Sequence, residues 1–227
     1  MSVNKIKLKS IKLALLGDST VGKTSICNSL KEKKFDDSVS ALPTIGCDKI
    51  EKKFKIKNGQ EMNVIIFDTA GQERFRSVPL NTIKHTHGII IVFDVTQRTT
   101  FDHVGYWLKS IQENSNQTNI VLFGNKTDKE KSLWKVTDEE MKINAEKYKL
   151  KYFETSAKTQ KNLNEGFSFI VNKAFDKLKE DKNIIIDIKD NKNEEQSKGG
   201  CFSWKKKRVI RKKIKIKTVI IIILIII

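Results

Sequence analysis

The sequence predicts an α/β domain built on a six-stranded, mostly parallel sheet with one antiparallel strand and helices on both faces. Three observations predict it. Short Ile- and Val-rich runs alternate with segments whose apolar residues recur every three or four positions, the pattern of a parallel sheet covered by helices. Asn58-Gly59 separates two strand-like runs, which is a strong hairpin signal and makes one strand antiparallel to its neighbour. A glycine-rich stretch, Gly17 to Thr24, directly follows the first long apolar run.

The elements follow in chain order. Ile11 to Leu16 reads as the first buried strand, and Ile50 to Ile56 with Glu61 to Phe67 as the hairpin. Ile89 to Phe93, Ile120 to Phe123 and the short Tyr152-Phe153 complete six strands. Phe101, Val104, Leu108 and Ile111 share one helical face, as do Phe167, Ile170, Val171, Ala174 and Leu178. Thr137 with Glu140 resembles a capping box that opens a helix through about Tyr148. The domain is expected over 8–178. Past Leu178 the composition turns to Asp, Asn, Lys, Glu and Gln around a small apolar island, Ile184 to Ile188, so 179–200 reads as a flexible linker and 201–227 as a basic and hydrophobic tail.

Composition narrows the function. The chain has 227 residues, 38% hydrophobic and 31% charged, enough for one packed domain plus a tail. Three cysteines and no recognisable signal peptide speak against a disulfide-stapled secreted protein and point to a reducing, cytoplasmic compartment. A net charge of +17 suggests nucleic acid at first sight, but ten basic residues and no acid lie between Lys198 and Lys217. The excess over the remaining chain is modest and suits an ordinary soluble surface. No nucleic-acid partner is expected.

Gly17-Asp-Ser-Thr-Val-Gly-Lys-Thr24 fits G-x-x-x-x-G-K-[ST]. Glycines let such a loop wrap so that the N–H groups of Gly17, Ser19, Thr20, Val21, Gly22, Lys23, Thr24 and Ser25 can face phosphate oxygens at a helix N-terminus. Lys23 would reach the β- and γ-phosphates and the Thr24 hydroxyl would bind Mg²⁺. Asp68-Thr-Ala-Gly-Gln72 begins 51 residues after Gly17, at a strand end. There Asp68 suits a magnesium site, the Gly71 N–H can approach the γ-phosphate and Gln72 can orient an attacking water.

Asn125-Lys126-Thr127-Asp128 follows the next strand but one. The Asp128 carboxylate can accept from both N1–H and the exocyclic amine of guanine, whereas adenine offers no N1–H and would leave a buried acceptor unpaired at a cost of roughly 1–3 kcal/mol. Lys126 can lie along the base plane while Asn125 ties neighbouring loops together. In Glu154-Thr-Ser-Ala-Lys158, Ser156 and the Ala157 N–H, with Lys158 closing the motif, would support the guanine O6 edge. His85, His87 and His103 have no acidic or cysteine partners at metal-ligand spacing and read as surface or helix residues, and Cys27 as a packing residue.

Together these stretches resemble the Ras superfamily of small GTPases over about residues 8–178. Asp68 to Ser77, Ile91 to Thr96, Tyr106-Trp-Leu108 and Thr44-Ile-Gly46 look like the Rab family. The resemblance implies a single P-loop GTPase domain that binds GTP/GDP and Mg²⁺ and hydrolyses GTP, with Gln72 and Lys23 as catalytic residues. It implies that Thr44 closes onto the metal and γ-phosphate, joining Thr24 and Asp68 in the metal set, and that Phe35 packs on the guanine edge. It further implies a monomeric, membrane-recruited switch in vesicle traffic on the cytosolic face of an endomembrane, served by an exchange factor, a GTPase-activating protein and effectors. Arg74 and Arg76 lie past Gln72 and suit surface or effector contacts better than an internal arginine finger, so hydrolysis without a partner should be slow. Phe67, Lys49 and Ile83 to Gly88 depart from the usual Rab residues on the effector-reading surface.

The tail leaves alternatives open. Cys201 is the lipidation candidate, but 26 residues follow it, so no terminal prenylation motif stands in the sequence. The nine aliphatic residues Val219 to Ile227 would span about 14 Å as a helix against a hydrocarbon core of about 30 Å. The stretch reads as a shallow insertion signal for an anionic membrane surface, as a chain end that is not the protein's own, or as a nuclear-localisation or RNA-binding tail.

Overall fold

The computed structural model describes residues 6–31, 47–69, 83–115, 119–180 and 184–186. The strands are β1 (Ile6–Leu8), β2 (Ile11–Leu16), β3 (Cys47–Lys55), β4 (Glu61–Thr69), β5 (Gly88–Asp94), β6 (Ile120–Asn125), β7 (Lys151–Glu154) and β8 (Ile184–Ile186). The helices are α1 (Lys23–Leu30), α2 (Arg98–Asp102), α3 (Val104–Asn114), α4 (Asp138–Lys147) and α5 (Leu163–Glu180).

Six strands form one sheet in the order β3-β4-β2-β5-β6-β7. β3 runs antiparallel to β4, and every other neighbouring pair is parallel. The antiparallel turn is where Asn58-Gly59 places it: Gly59 N–H donates to the Ile56 carbonyl at 2.8 Å, and Ile56 N–H to that of Gln60 at 2.9 Å.

The two faces of the sheet are packed by alternate residues of the same strands, which requires strands apolar at every position. Ile90 and Val92 of β5 join Leu13, Ile26, Phe123 and the α5 residues Phe167, Ile170 and Val171 in one core. Ile89, Ile91 and Phe93 join Phe101, Trp107, Leu108, Ile111 and Met141 in the other. Cys27 is buried in the first core, as expected. Helix α4 starts at the expected capping box: Thr137 Oγ1 accepts from Glu140 N–H, and the Glu140 carboxylate from Thr137 N–H. That backbone donor, followed by the Arg98 guanidinium, holds the Glu140 carboxyl below its ordinary range.

Three features differ from expectation. The helical face over 101–111 is divided at His103 into α2 and α3. Within the segment read as a flexible linker, Ile184–Ile186 is a strand, because an apolar triplet finds a parallel partner in Ile6–Leu8. Helix α5 also runs two residues past Leu178, to Glu180. Phe35, Thr44, Gly71, Gln72, Arg74, Arg76 and Cys201, with the tail, lie outside the described residues. No helix among the described residues is long and apolar enough to cross a membrane.

Candidate nucleotide site

The site lies at the carboxyl ends of the parallel strands, where the end of β4 meets the loops after β2, β6 and β7, as in the ligand crevices of open α/β sheets. The loop after β2 is shaped by what only glycine permits. Gly17 has φ +139°, and a Cβ there would lie 2.1 Å from the Val92 carbonyl oxygen. Gly22, at the N-terminus of α1, has φ +99°, and its Cβ would lie 2.4 Å from Asn125 Nδ2. Between them Ser19 and the exposed Thr20 form the turn, with Thr20 at φ +59°, and Val21 is fully buried.

Lys23 opens α1, is 5% exposed, and turns its ammonium back into the loop. Its Nζ donates to the carbonyls of Gly17 at 2.8 Å and Asp18 at 2.6 Å. The cation is thus held over the loop at the positive end of the helix, a strongly anion-attracting arrangement. Thr24 and Ser25 follow in the first turn of α1, both part-buried.

Thr24 Oγ1 donates to Asp68 Oδ2 at 2.7 Å, joining the start of α1 to the end of β4, where Asp68 is 1% exposed. Next to it, Thr69 Oγ1 donates to the Leu15 carbonyl at 2.6 Å and fixes the strand end against β2. A hydroxyl beside a buried carboxylate is a hard-oxygen pair that fits Mg²⁺, an ion that keeps several waters and takes phosphate oxygens as ligands. No cluster of three or more His, Cys, Asp or Glu side chains that could hold a metal occurs among the described residues, so an all-protein cage is not what they offer.

Asn125 ends β6 and joins three loops. Its Nδ2 donates to the Val21 carbonyl at 2.9 Å, and its Oδ1 accepts from Ala157 N–H at 3.2 Å. Ser29 Oγ of α1 donates to the Ala157 carbonyl at 2.7 Å, closing the ring from the other side. The Asp128 carboxylate accepts from Ser156 Oγ at 2.6 Å, and Ser156 Oγ accepts from Thr159 N–H at 3.1 Å. Asp128 is exposed while Ser156 is buried, so the hydroxyl anchors a carboxylate that faces outward. Lys158 is exposed at the rim.

Lys126 adopts φ +68°, and its Nζ lies 2.7 Å from Asp94 Oδ2, an ion pair off the direction of an aligned hydrogen bond. Asp94 is fully buried at the end of β5, and its other oxygen accepts from Thr96 N–H and Oγ1. Sequence reasoning missed this residue. The signal available was an acid closing an otherwise apolar strand, Ile89 to Phe93. It also missed Asp18, whose carboxylate receives Trp107 Nε1–H at 2.8 Å and lies 2.6 Å from His103 Nδ1. His103 therefore has an acidic partner in space that its sequence neighbours do not supply. His87 is likewise no plain surface residue: its Nδ1 accepts from Lys12 N–H at 2.9 Å.

The structure brings together every described residue expected at the site, in two groups joined by Asn125: Gly17 to Ser25 with Asp68, and Asn125 to Asp128 with Ser156 to Lys158. A family model described as the Ras family matches residues 12–176. Among curated proteins, the chain is 38% identical over 162 residues to Ras-related protein RABE1e of Arabidopsis thaliana, covering 69% of this chain and 71% of that one. It is 38% identical over 162 residues to Ras-related protein Rab-13 of Rattus norvegicus, covering 69% and 76%. To Ras-related protein SEC4 of Saccharomyces cerevisiae it is 35% identical over 183 residues, covering 78% and 80%.

Proposed function

The chain belongs to the Ras family of small GTPases, among its Rab-related members, and from that premise we propose that it is a membrane-recruited GTP-hydrolysing switch in vesicle traffic. The observation that supports the reading best is Asn125, whose amide joins the phosphate loop to both base-reading loops. A side chain that ties the phosphate loop to the loops expected to read the base suits a site organised around a guanine nucleotide.

In this reading Lys23 leaves the loop carbonyls for the β- and γ-phosphate oxygens, where its charge offsets the charge that develops as the γ-phosphoryl departs. Thr24 and Asp68, with Thr44, would hold Mg²⁺, and the bound ion would neutralise charge on the phosphate oxygens. Gln72 orients the attacking water, and the Gly71 N–H donates to the γ-phosphate. When that phosphate leaves, Thr44 and Gly71 lose their contacts, and the surface read by effectors changes with them. Phe35 packs against the guanine edge. An exchange factor reloads GTP, and an activating protein supplies an arginine that offsets the transition-state charge.

The basic stretch from Lys198 to Lys217 suits an anionic membrane surface on the cytosolic side of an endomembrane, with Cys201 as the residue to carry a lipid. Intact-mass measurement on the native protein reads that modification directly.

The test of the nucleotide reading is Asp128→Asn. Its amide can accept from N1–H and donate to the C2 carbonyl of xanthine, but it cannot accept from both N1–H and the exocyclic amine of guanine, so preference should move from GDP to XDP. A variant that still clearly prefers guanine would overturn the base-reading role of Asp128.

A further inference from the structure

The Asp18 side chain takes no part in the nucleotide chemistry described above, yet it is one of the most firmly held groups in the site. It is nearly buried, and each oxygen has its own donor from one short stretch of chain. Trp107 Nε1–H reaches Oδ1 at 2.8 Å, and His103 Nδ1 lies 2.6 Å from Oδ2. An ionised carboxylate can only accept, so the His103 proton is on Nδ1. His103 and Trp107 stand four residues apart, where helix geometry stacks side chains on one face, and Trp107 N–H donates to the His103 carbonyl at 3.1 Å. The two donors therefore reach the carboxylate as a fork.

The same residue's backbone faces the nucleotide. The Asp18 carbonyl accepts from Lys23 Nζ at 2.6 Å, and the preceding Gly17 is pressed against Val92. Asp18 is gripped through its side chain by the α2–α3 corner on one side and through its carbonyl by the phosphate-binding lysine on the other.

We propose that His103 and Trp107 are positioning residues for the phosphate loop: by fixing the Asp18 carboxylate they hold the loop in its phosphate-accepting shape and slow nucleotide release. The inference rests on the guanine-nucleotide reading given above. It makes the start of α3, a segment that does not line the nucleotide site, a control point for how long nucleotide stays bound.

The geometry sets a sharp test. In histidine the Nδ1 atom is one bond beyond Cγ, and in asparagine Nδ2 is at the same place, whereas the glutamine amide is one carbon further out. The full chain is loaded with mant-GDP, and release into excess GDP is timed for wild type, His103→Asn, His103→Ala, His103→Gln and Trp107→Phe. Loss of one donor to a buried carboxylate should speed release on the order of tenfold in His103→Ala, His103→Gln and Trp107→Phe. His103→Asn should release at the wild-type rate. Combined with Asp18→Ala, the His103→Ala change should add nothing further, because its partner is already gone.

A merely structural role for His103 would shift the melting temperature without this Asn-against-Gln split and without the lost additivity. Unchanged release in all variants, or release from His103→Asn as fast as from His103→Ala, overturns the brace while leaving the nucleotide reading intact. A wild-type chain that does not retain mant-GDP overturns both.

Discussion

Gly22 and Asn125 occupy each other's space: a Cβ on Gly22 would lie 2.4 Å from Asn125 Nδ2, the atom that donates to the Val21 carbonyl. Two residues from different loops of the site thus approach closely through the absence of a side chain on one of them. The phosphate loop and the base-reading loop can move apart only by giving up a buried hydrogen bond.

Gly22→Ala therefore meets two obstacles, a φ of +99° and an amide in the way. We expect stability to fall by about 2–3 kcal/mol and guanine-nucleotide affinity to fall at least tenfold. Chemical denaturation and calorimetric titration with GDP measure the two effects. An alanine variant with wild-type values in both would show that the loop relaxes freely here.

Gln72→Leu removes the group assigned to water without touching the phosphate grip. Single-turnover hydrolysis should slow at least tenfold, and acceleration by an activating protein, normally on the order of 10³ to 10⁵, should be largely lost while nucleotide affinity is kept. The assignment fails if the partner-stimulated rate is unchanged.

His87 predicts acid sensitivity. Burial, reinforced by the charge of Lys12, lowers its pKa from 6.5 to about 4. As pH falls below 6.5 the unfolded chain takes up a proton that the folded chain refuses, so stability is complete above that pH and declines as pH drops towards 4. The loss is at most about 3 kcal/mol, less what solvent at this partly buried ring screens away. His87→Asn keeps an acceptor for Lys12 N–H and does not titrate, so its denaturation midpoint should vary less between pH 6.5 and 4 than that of wild type. Parallel pH curves for the two proteins would contradict this.

The sheet was legible because its information is local. Leu13, Ile91 and Phe123 sit in runs too apolar to be anything but buried strands, and Asn58-Gly59 specifies its own turn. The phosphate loop and Asn125 to Asp128 were legible for a related reason, since their chemistry is carried by neighbours in sequence at fixed spacing. What escaped was chemistry assembled across the chain. Asp18 meets His103 across 85 positions and Trp107 across 89, and Asp94 meets Lys126 across two helices and a strand. The β1–β8 pairing escaped because an apolar triplet in a charged segment has no periodicity to read, and its partner lies at the other end of the domain.

That ladder also determines how the domain meets a mechanical load. Its strands are parallel, with Leu8 paired to Ile186, so the chain leaves both strands at the same end. A pull arriving from beyond Ile186, opposed by the body of the domain through Leu8, acts on one pair at a time, as in opening a zipper. Rungs broken in succession yield at much lower force than rungs sheared together. Under tension the ladder would peel open from Ile186 first while the nucleotide-binding sheet stayed whole.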